Sequence, residues 1–125
     1  MLRLAESGQN HSPYVIRMIE IIDDEGFEDK LVVVMEYCPG GQLLNWNPET
    51  YEFSANLQSE RVDAEGHVSE ATIKNVIREV AQGLLFCHEK GVIHRDIKPQ
   101  NIIFGQDNHA KLIDFGVSMV LETLE

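Results

Sequence analysis

Eight consecutive residues, His94-Arg95-Asp96-Ile97-Lys98-Pro99-Gln100-Asn101, followed thirteen positions after Asn101 by Asp114-Phe115-Gly116, constrain this chain more than anything else in it. Between the two motifs lie the apolar run Ile102-Ile103-Phe104, the polar stretch Gln106-Asp107-Asn108-His109 and a second apolar run from Ala110 to Ile113. That layout reads as a hairpin with a polar turn. A rigid hairpin holds Asn101 and Asp114 close although they are far apart in the chain. Two carboxylates and an amide on adjoining loops can orient a hydroxyl and hold a hard divalent cation, which prefers oxygen ligands.

The two motifs resemble those of the eukaryotic protein kinase family, whose catalytic loop follows H-R-D-x-K-P-x-N and whose metal loop is D-F-G. Neither motif departs from that pattern here. Asp-Phe-Gly alone would say little, since Phe-Gly is an ordinary strand-to-turn ending; six specified positions in the first motif carry the resemblance. It implies transfer of the γ-phosphate of ATP, with Mg²⁺, to a protein hydroxyl. On it, Asp96 accepts or orients the hydroxyl proton, Asn101 and Asp114 are the Mg²⁺ ligands, and Lys98 stands near the transferred phosphate as a point charge. A lysine two residues after Asp96 resembles serine/threonine rather than tyrosine kinases. His94 is expected to pack against Phe115 instead of acting as a base, and Arg95 resembles the arginine that pairs with a phosphorylated activation segment.

Upstream, Leu31-Val32-Val33-Val34-Met35 reads as a buried strand that Pro39-Gly40-Gly41 stops with turn chemistry. It resembles the fifth strand and hinge of a kinase. The resemblance implies that Met35 guards the back of the adenine pocket, that backbone groups of Glu36 and Cys38 bond the adenine edge, and that Ile103 packs beneath the ring. Gln42 falls where many kinases carry an acidic residue facing the ribose, so its amide would make that contact. Gly40-Gly41 is not a phosphate-binding loop, because G-x-G-x-x-G spacing occurs nowhere in the chain.

The plainest helix begins near Ser69, a suitable N-cap, with Glu70 in the first turn. Ile73, Val76, Ile77, Val80, Ala81, Leu84 and Leu85 recur at three- and four-residue steps and predict one apolar stripe facing the core. Gly91 suits the C′ position that ends it. Residues 45–67 make a long connection, in which the resemblance implies the short helix that follows a kinase hinge, with Trp46 or Tyr51 to anchor it. At the start, residues 14–22 form a strand candidate, and the acidic residues 23–29 would turn it back into the hinge strand. His11-Ser12-Pro13 resembles the entry to the fourth kinase strand, which puts Leu2 and Leu4 at the end of the regulatory helix and Met18, His94 and Phe115 in the hydrophobic column joining the lobes.

The expected fold is therefore α+β, a protein-kinase-like bilobal fold in part: residues 1–35 the end of the smaller lobe, 36–44 the hinge, and 45–125 the larger lobe through the start of the activation segment. The sequence contains no glycine-rich loop, no V-A-I-K lysine and no A-P-E motif. These 125 residues by themselves are expected to be inactive and to leave apolar faces uncovered. The overall reading is an ATP-dependent serine/threonine protein kinase by family. A pseudokinase or regulatory binding module is the alternative, which the intact Asp96, Asn101 and Asp114 argue against. A small-molecule phosphotransferase is the other, which Lys98-Pro99 disfavours.

Ten basic against twenty-one acidic residues, a net charge of −11, argue against a nucleic-acid partner. Apolar residues at 43% and charged residues at 25% are ordinary for one globular domain. No apolar run approaches the length of a bilayer span and no secretory signal is evident, so no membrane partner is expected. Cys38 and Cys87 lack C-x-x-C spacing, which fits a reducing, cytoplasmic compartment. Ile19-Glu20-Ile21-Ile22-Asp23-Asp24, together with Asp114-Phe115-Gly116-Val117-Ser118, resembles most the calcium/calmodulin-dependent kinase kinase group and its relatives that activate energy-sensing kinases. Calmodulin or another upstream regulator would then bind outside this chain. Thr123, the threonine after the metal loop, lies too close to Gly116 to serve as the activation site.

Overall fold

A computed structural model of the chain describes residues 11–23, 31–56 and 62–122. The long helix among the described residues, α1 (Glu70–Glu89), starts where the sequence sets it: Ser69 Oγ accepts the Thr72 N–H at 3.2 Å, satisfying one of the donors that a helix start leaves unpaired. It stops where Gly91 takes a φ of 71° and its N–H reaches the His88 carbonyl at 2.9 Å.

Against α1 stands the hairpin of β7 (Ile102–Phe104) and β8 (Ala110–Leu112), with Ile102 opposite Leu112 and Phe104 opposite Ala110. Asn108 at φ 64° closes the polar turn predicted between them, donating its N–H to the Gly105 carbonyl at 3.0 Å. The short strand β3 (Gly41–Gln42) pairs antiparallel with the other edge of β7, giving a three-stranded sheet. Strand β6 (Val92–Ile93) follows the helix and pairs with β9 (Met119–Val120). Phe104, Leu112, His94, Val92 and Cys87 are fully buried where α1, β6 and the β7–β8 hairpin meet.

Residues 13–16 run beside β8 rather than continuing a strand from Tyr14. The Leu112 N–H donates to the Tyr14 carbonyl at 2.9 Å and the Ile16 N–H to the Leu112 carbonyl at 3.0 Å. The neighbouring Lys111 is 5% exposed, and its Nζ donates to the Pro13 carbonyl at 2.8 Å while facing Glu36 at 3.4 Å and Asp107 at 3.8 Å. A buried ammonium needs such company, because an unpaired one would be costly to desolvate. Helix and segment approach so closely that a Cβ on Gly83 would lie 2.7 Å from the Tyr14 carbonyl oxygen.

Four expectations change. The first strand, β1, covers Met18–Asp23 and not 14–22, with an irregular register between Met18 and Glu20; most of the acidic turn after it lies outside the described residues, as do Leu2, Leu4 and Thr123. Its partner β2 (Leu31–Met35) is not a buried strand: Leu31 is 59% and Met35 45% exposed, because β1 and β2 form a two-stranded sheet on which no further described element is stacked. The stripe on α1 divides. Val76 is buried and Val80 and Leu84 pack on the core, whereas Ile73, Ile77 and Leu85 are exposed.

The fourth concerns the connection after β3, which forms a hairpin instead of a helix: β4 (Leu44–Asn47) pairs with β5 (Glu52–Ala55), Trp46 opposite Phe53. Pro48 cannot donate to a helical ladder. Asn47 Oδ1 instead accepts the Glu49 N–H at 2.9 Å and the Thr50 N–H at 3.4 Å, and Tyr51 adopts a φ of 56°, which together close a tight loop.

Candidate active site

His94 is the pivot of the site. It is fully buried, its ring lies 4.7 Å from that of Phe115 at an interplanar angle of 63°, and both its nitrogens are engaged. Nδ1 accepts the Asp96 N–H at 3.1 Å, which requires that nitrogen to carry no proton, so Nε2 carries it and donates to the Ile113 carbonyl at 2.8 Å. The imidazole thus ties the loop of Asp96 to the strand end before Asp114 and has no nitrogen left to act as a base. The expected packing role is what the geometry shows, and the hydrogen bonds add a positioning role that spacing alone could not reveal.

Asp96 is half-buried and surrounded by donors. Asn101, in a 3-10 turn covering Pro99–Asn101, gives its amide N–H groups to the Asp96 carbonyl at 2.9 Å and to Oδ2 at 3.1 Å, and Lys98 Nζ stands 3.4 Å from Oδ2. The carboxylate is thereby aimed by one buried amide and one cation, both at Oδ2. Since the Asn101 amide nitrogen is spent on Asp96, its oxygen is the end available to a cation. The Ile113 N–H donates to the Asn101 carbonyl at 3.0 Å, which brings Asp114 beside Asn101 as the hairpin argument predicted. Asp114 sits at φ 60°, a left-handed conformation in which its Oδ1 accepts the Gly116 N–H at 3.2 Å. An amide oxygen and a carboxylate oxygen on adjoining loops suit Mg²⁺, which takes few protein ligands and fills its octahedron with phosphate oxygens and water.

Arg95 also has a positive φ, 68°, uncommon for a long side chain, and its Nε donates to the Val117 carbonyl at 2.6 Å. It is exposed, held by the segment that follows the metal loop.

On the other side of β7 lie the residues assigned to the hinge. Pairing of Gln42 with Ile103 places β3 one strand away from Asn101. The Gln42 amide nitrogen donates to the Gln100 carbonyl at 3.0 Å, so the amide expected to face a ribose is anchored to the catalytic loop. Asn56, buried, donates from Nδ2 to the carbonyls of Gly40 at 2.9 Å and Gln42 at 3.1 Å and so fixes the turn; nothing in its neighbourhood in sequence announced this. The Glu36 N–H donates to the Arg17 carbonyl at 3.0 Å and its Oε1 accepts the Arg17 N–H at 2.8 Å, so its side chain serves the fold while its carbonyl was the group of interest. Met35 is exposed and Ile103 half-buried. Cys38 is buried, and burial first, then the negative charge of Glu36, pushes its thiol up from the ordinary range.

With this geometry in place, comparison with known proteins decides the family. The protein kinase domain model matches residues 4–125, nearly the whole chain. The chain belongs to the protein kinase domain family. It is 34% identical over 111 residues to the serine/threonine-protein kinase cds1 of Schizosaccharomyces pombe, covering 89% of this chain and 20% of that protein. Against calcium-dependent protein kinase 21 of Oryza sativa subsp. japonica the figures are 35% over 108 residues, 84% of this chain and 16% of that protein. SNF1-activating kinase 1 of Saccharomyces cerevisiae is 35% identical over 109 residues, covering 87% of this chain and 9% of the kinase. The chain thus spans a fifth or less of the length of these relatives. Their names spread over several kinase groups, and the comparison establishes the family as a whole. The mixed strand and helix content of the chain fits part of the bilobal protein kinase fold.

Proposed function

We propose that this chain carries the catalytic and metal loops of an ATP-dependent serine/threonine protein kinase. The observation that carries the reading is the cluster in which Asn101 and Lys98 converge on Asp96 Oδ2 while Ile113 bonds Asn101 and sets Asp114 beside it. In this reading Asp96 takes or orients the proton of the substrate hydroxyl, contributing ~10²–10⁴-fold as a positioned base. Lys98 offers its charge to the transferred phosphate. Asn101 and Asp114 hold Mg²⁺, which when bound neutralises charge on the ATP phosphates. Met35, the backbone of Glu36 and Cys38, Gln42 and Ile103 line the nucleotide side.

The lobes divide at residues 36–44, with 1–35 closing the smaller lobe and 45–125 opening the larger one. A cytoplasmic compartment is our reading, supported by the two free thiols, Cys38 and Cys87, which suit a reducing environment. A protein hydroxyl is the substrate. Calcium-linked regulators are favoured as inputs because relatives include calcium-dependent and CBL-interacting kinases, acting outside these residues.

In a domain that supplies the glycine-rich loop and the lysine strand, Asp96→Asn is expected to abolish phosphoryl transfer while nucleotide binding persists, read by radiolabel incorporation and by nucleotide titration. Equal incorporation by the two proteins would remove the assignment. Purified residues 1–125 are expected to show no Mg²⁺-dependent transfer above background.

A further inference from the structure

A polar cavity of about 400 Å³ opens between the segment that enters β1 and strand β8. His11, Ser12, Pro13, Arg17, Glu36 and Lys111 line it. Two permanent cations against one carboxylate make this lining net positive, on a chain whose net charge is −11.

The two cations are in different situations. Lys111 is buried and already committed to the Pro13 carbonyl, Glu36 and Asp107. Arg17 is exposed and ties itself to Glu36 through its backbone alone. Among the described residues its guanidinium has no partner, and neither has the His11 ring. An unused arginine fork beside a cavity with an ammonium in its wall suits an anion with several oxygens in fixed geometry, above all a phosphate monoester.

A hydroxyl that could carry one forms part of the same wall. Ser12 is half-buried, and its Oγ accepts the Tyr14 N–H at 3.2 Å. His11 and Pro13 on either side of it are exposed, so the dipeptide Ser12-Pro13 is open to another protein. Serine followed by proline is the acceptor dipeptide of proline-directed kinases. The segment is also well placed to transmit a charge. Its Tyr14 carbonyl and Ile16 N–H bracket Leu112, two residues before Asp114.

We propose that Ser12 is a phosphorylation site whose phosphate is received by this cavity, on the Arg17 guanidinium. A separate proline-directed kinase transfers the group from ATP: the bond between the γ-phosphorus and its bridging oxygen breaks, the bond from phosphorus to Ser12 Oγ forms, ADP leaves, and the hydroxyl proton passes to that kinase's base. The modification brings ~1.5–2 negative charges and three acceptor oxygens, which an arginine meets with charge-assisted hydrogen bonds. Nothing in this depends on the kinase reading of the chain itself.

Incubation of the full chain with a purified proline-directed kinase and ATP is expected to place one phosphate on Ser12, mapped by peptide mass spectrometry and lost in Ser12→Ala. Phosphorus NMR of the modified chain then reads the cavity. The folded protein's phosphate should take its second ionisation at a pH roughly one unit lower than in the same chain unfolded in urea, because neighbouring positive charge favours the dianion. Arg17→Gln alters an exposed side chain and keeps both backbone bonds to Glu36, so the fold should persist while the midpoint moves most of the way back. Raised salt should move it in the same direction. Absence of phosphate from Ser12, equal midpoints in the folded and unfolded chain, or a midpoint indifferent to Arg17→Gln would each overturn the proposal. Inorganic phosphate added to Ser12→Ala tests the other source of the same chemistry. Its resonance is expected not to move, and saturable binding abolished by Arg17→Gln would make the cavity a site for a free anion and remove the assignment to Ser12.

Discussion

Asn101 gives its amide to Asp96 twice, and this buried residue fixes the orientation of a half-exposed carboxylate. Replacing it by alanine deletes both bonds and leaves the Asp96 carbonyl short of a donor. Asn101→Ala is therefore expected to cost about 1–3 kcal/mol, measured as a shift of the urea midpoint. A second residue-scale prediction concerns pH. Burial of Cys87 on the core face of α1 pushes its thiol up to about 11 from an ordinary 9.0. Below pH 9.0 the thiol is protonated whether the chain is folded or not, so that contribution to stability is complete; between 9.0 and about 11 only the unfolded chain ionises, and stability falls as pH rises. The urea midpoint should drop across that window, and drop less steeply in Cys87→Ala. At this scale the sequence was informative about chemistry and silent about support. Asp96, Asn101 and Asp114 announce themselves by type and spacing, whereas the bond from Gln42 to the Gln100 carbonyl joins residues 58 apart and leaves no trace in either neighbourhood.

Helix α1 was legible at both ends because caps are local: Ser69 and Gly91 act within a turn of themselves. Ser69→Ala should cost ~1 kcal/mol, seen in the same denaturation assay. Its interior was legible only in part. Periodicity gives the direction of an apolar stripe but not its width, so Ile73, Ile77 and Leu85 were assigned to a core they do not reach. Gly83 shows the reverse case, a residue that looks like a weakness and is required. Alanine normally favours a helix over glycine by ~1 kcal/mol, but here its methyl would meet the Tyr14 carbonyl oxygen at 2.7 Å, a backbone atom held by Leu112. Gly83→Ala is expected to lower stability, by ~1–3 kcal/mol, where a surface helix would gain. The hairpin of β4 and β5 was missed because a family expectation of helix outweighed Pro48 and the alternating aromatics, which were local signals of strand and turn.

Across the whole molecule, apolar surface is distributed unevenly. The core between α1 and the β7–β8 hairpin is closed, while β1 and β2, the outer stripe of α1 and the aromatics of β4 and β5 remain open. Purified residues 1–125 should accordingly enhance the fluorescence of a hydrophobic dye in the folded state, and Ile77→Glu, at a position 63% exposed, should reduce that signal without lowering the unfolding temperature. The order of folding follows from the seat of residues 13–16. Their partner is β8, and the hydrogen bond between Lys111 and Pro13 spans 98 residues. At ribosomal rates of ~5–20 residues per second, the early segment emerges roughly 5–20 s before the strand that receives it has been made. The nascent chain must therefore carry Val15 and Ile16 unpaired throughout that interval, a ready target for a chaperone, and the loop of Asp96 is synthesised before the segment that braces the β7–β8 hairpin can dock.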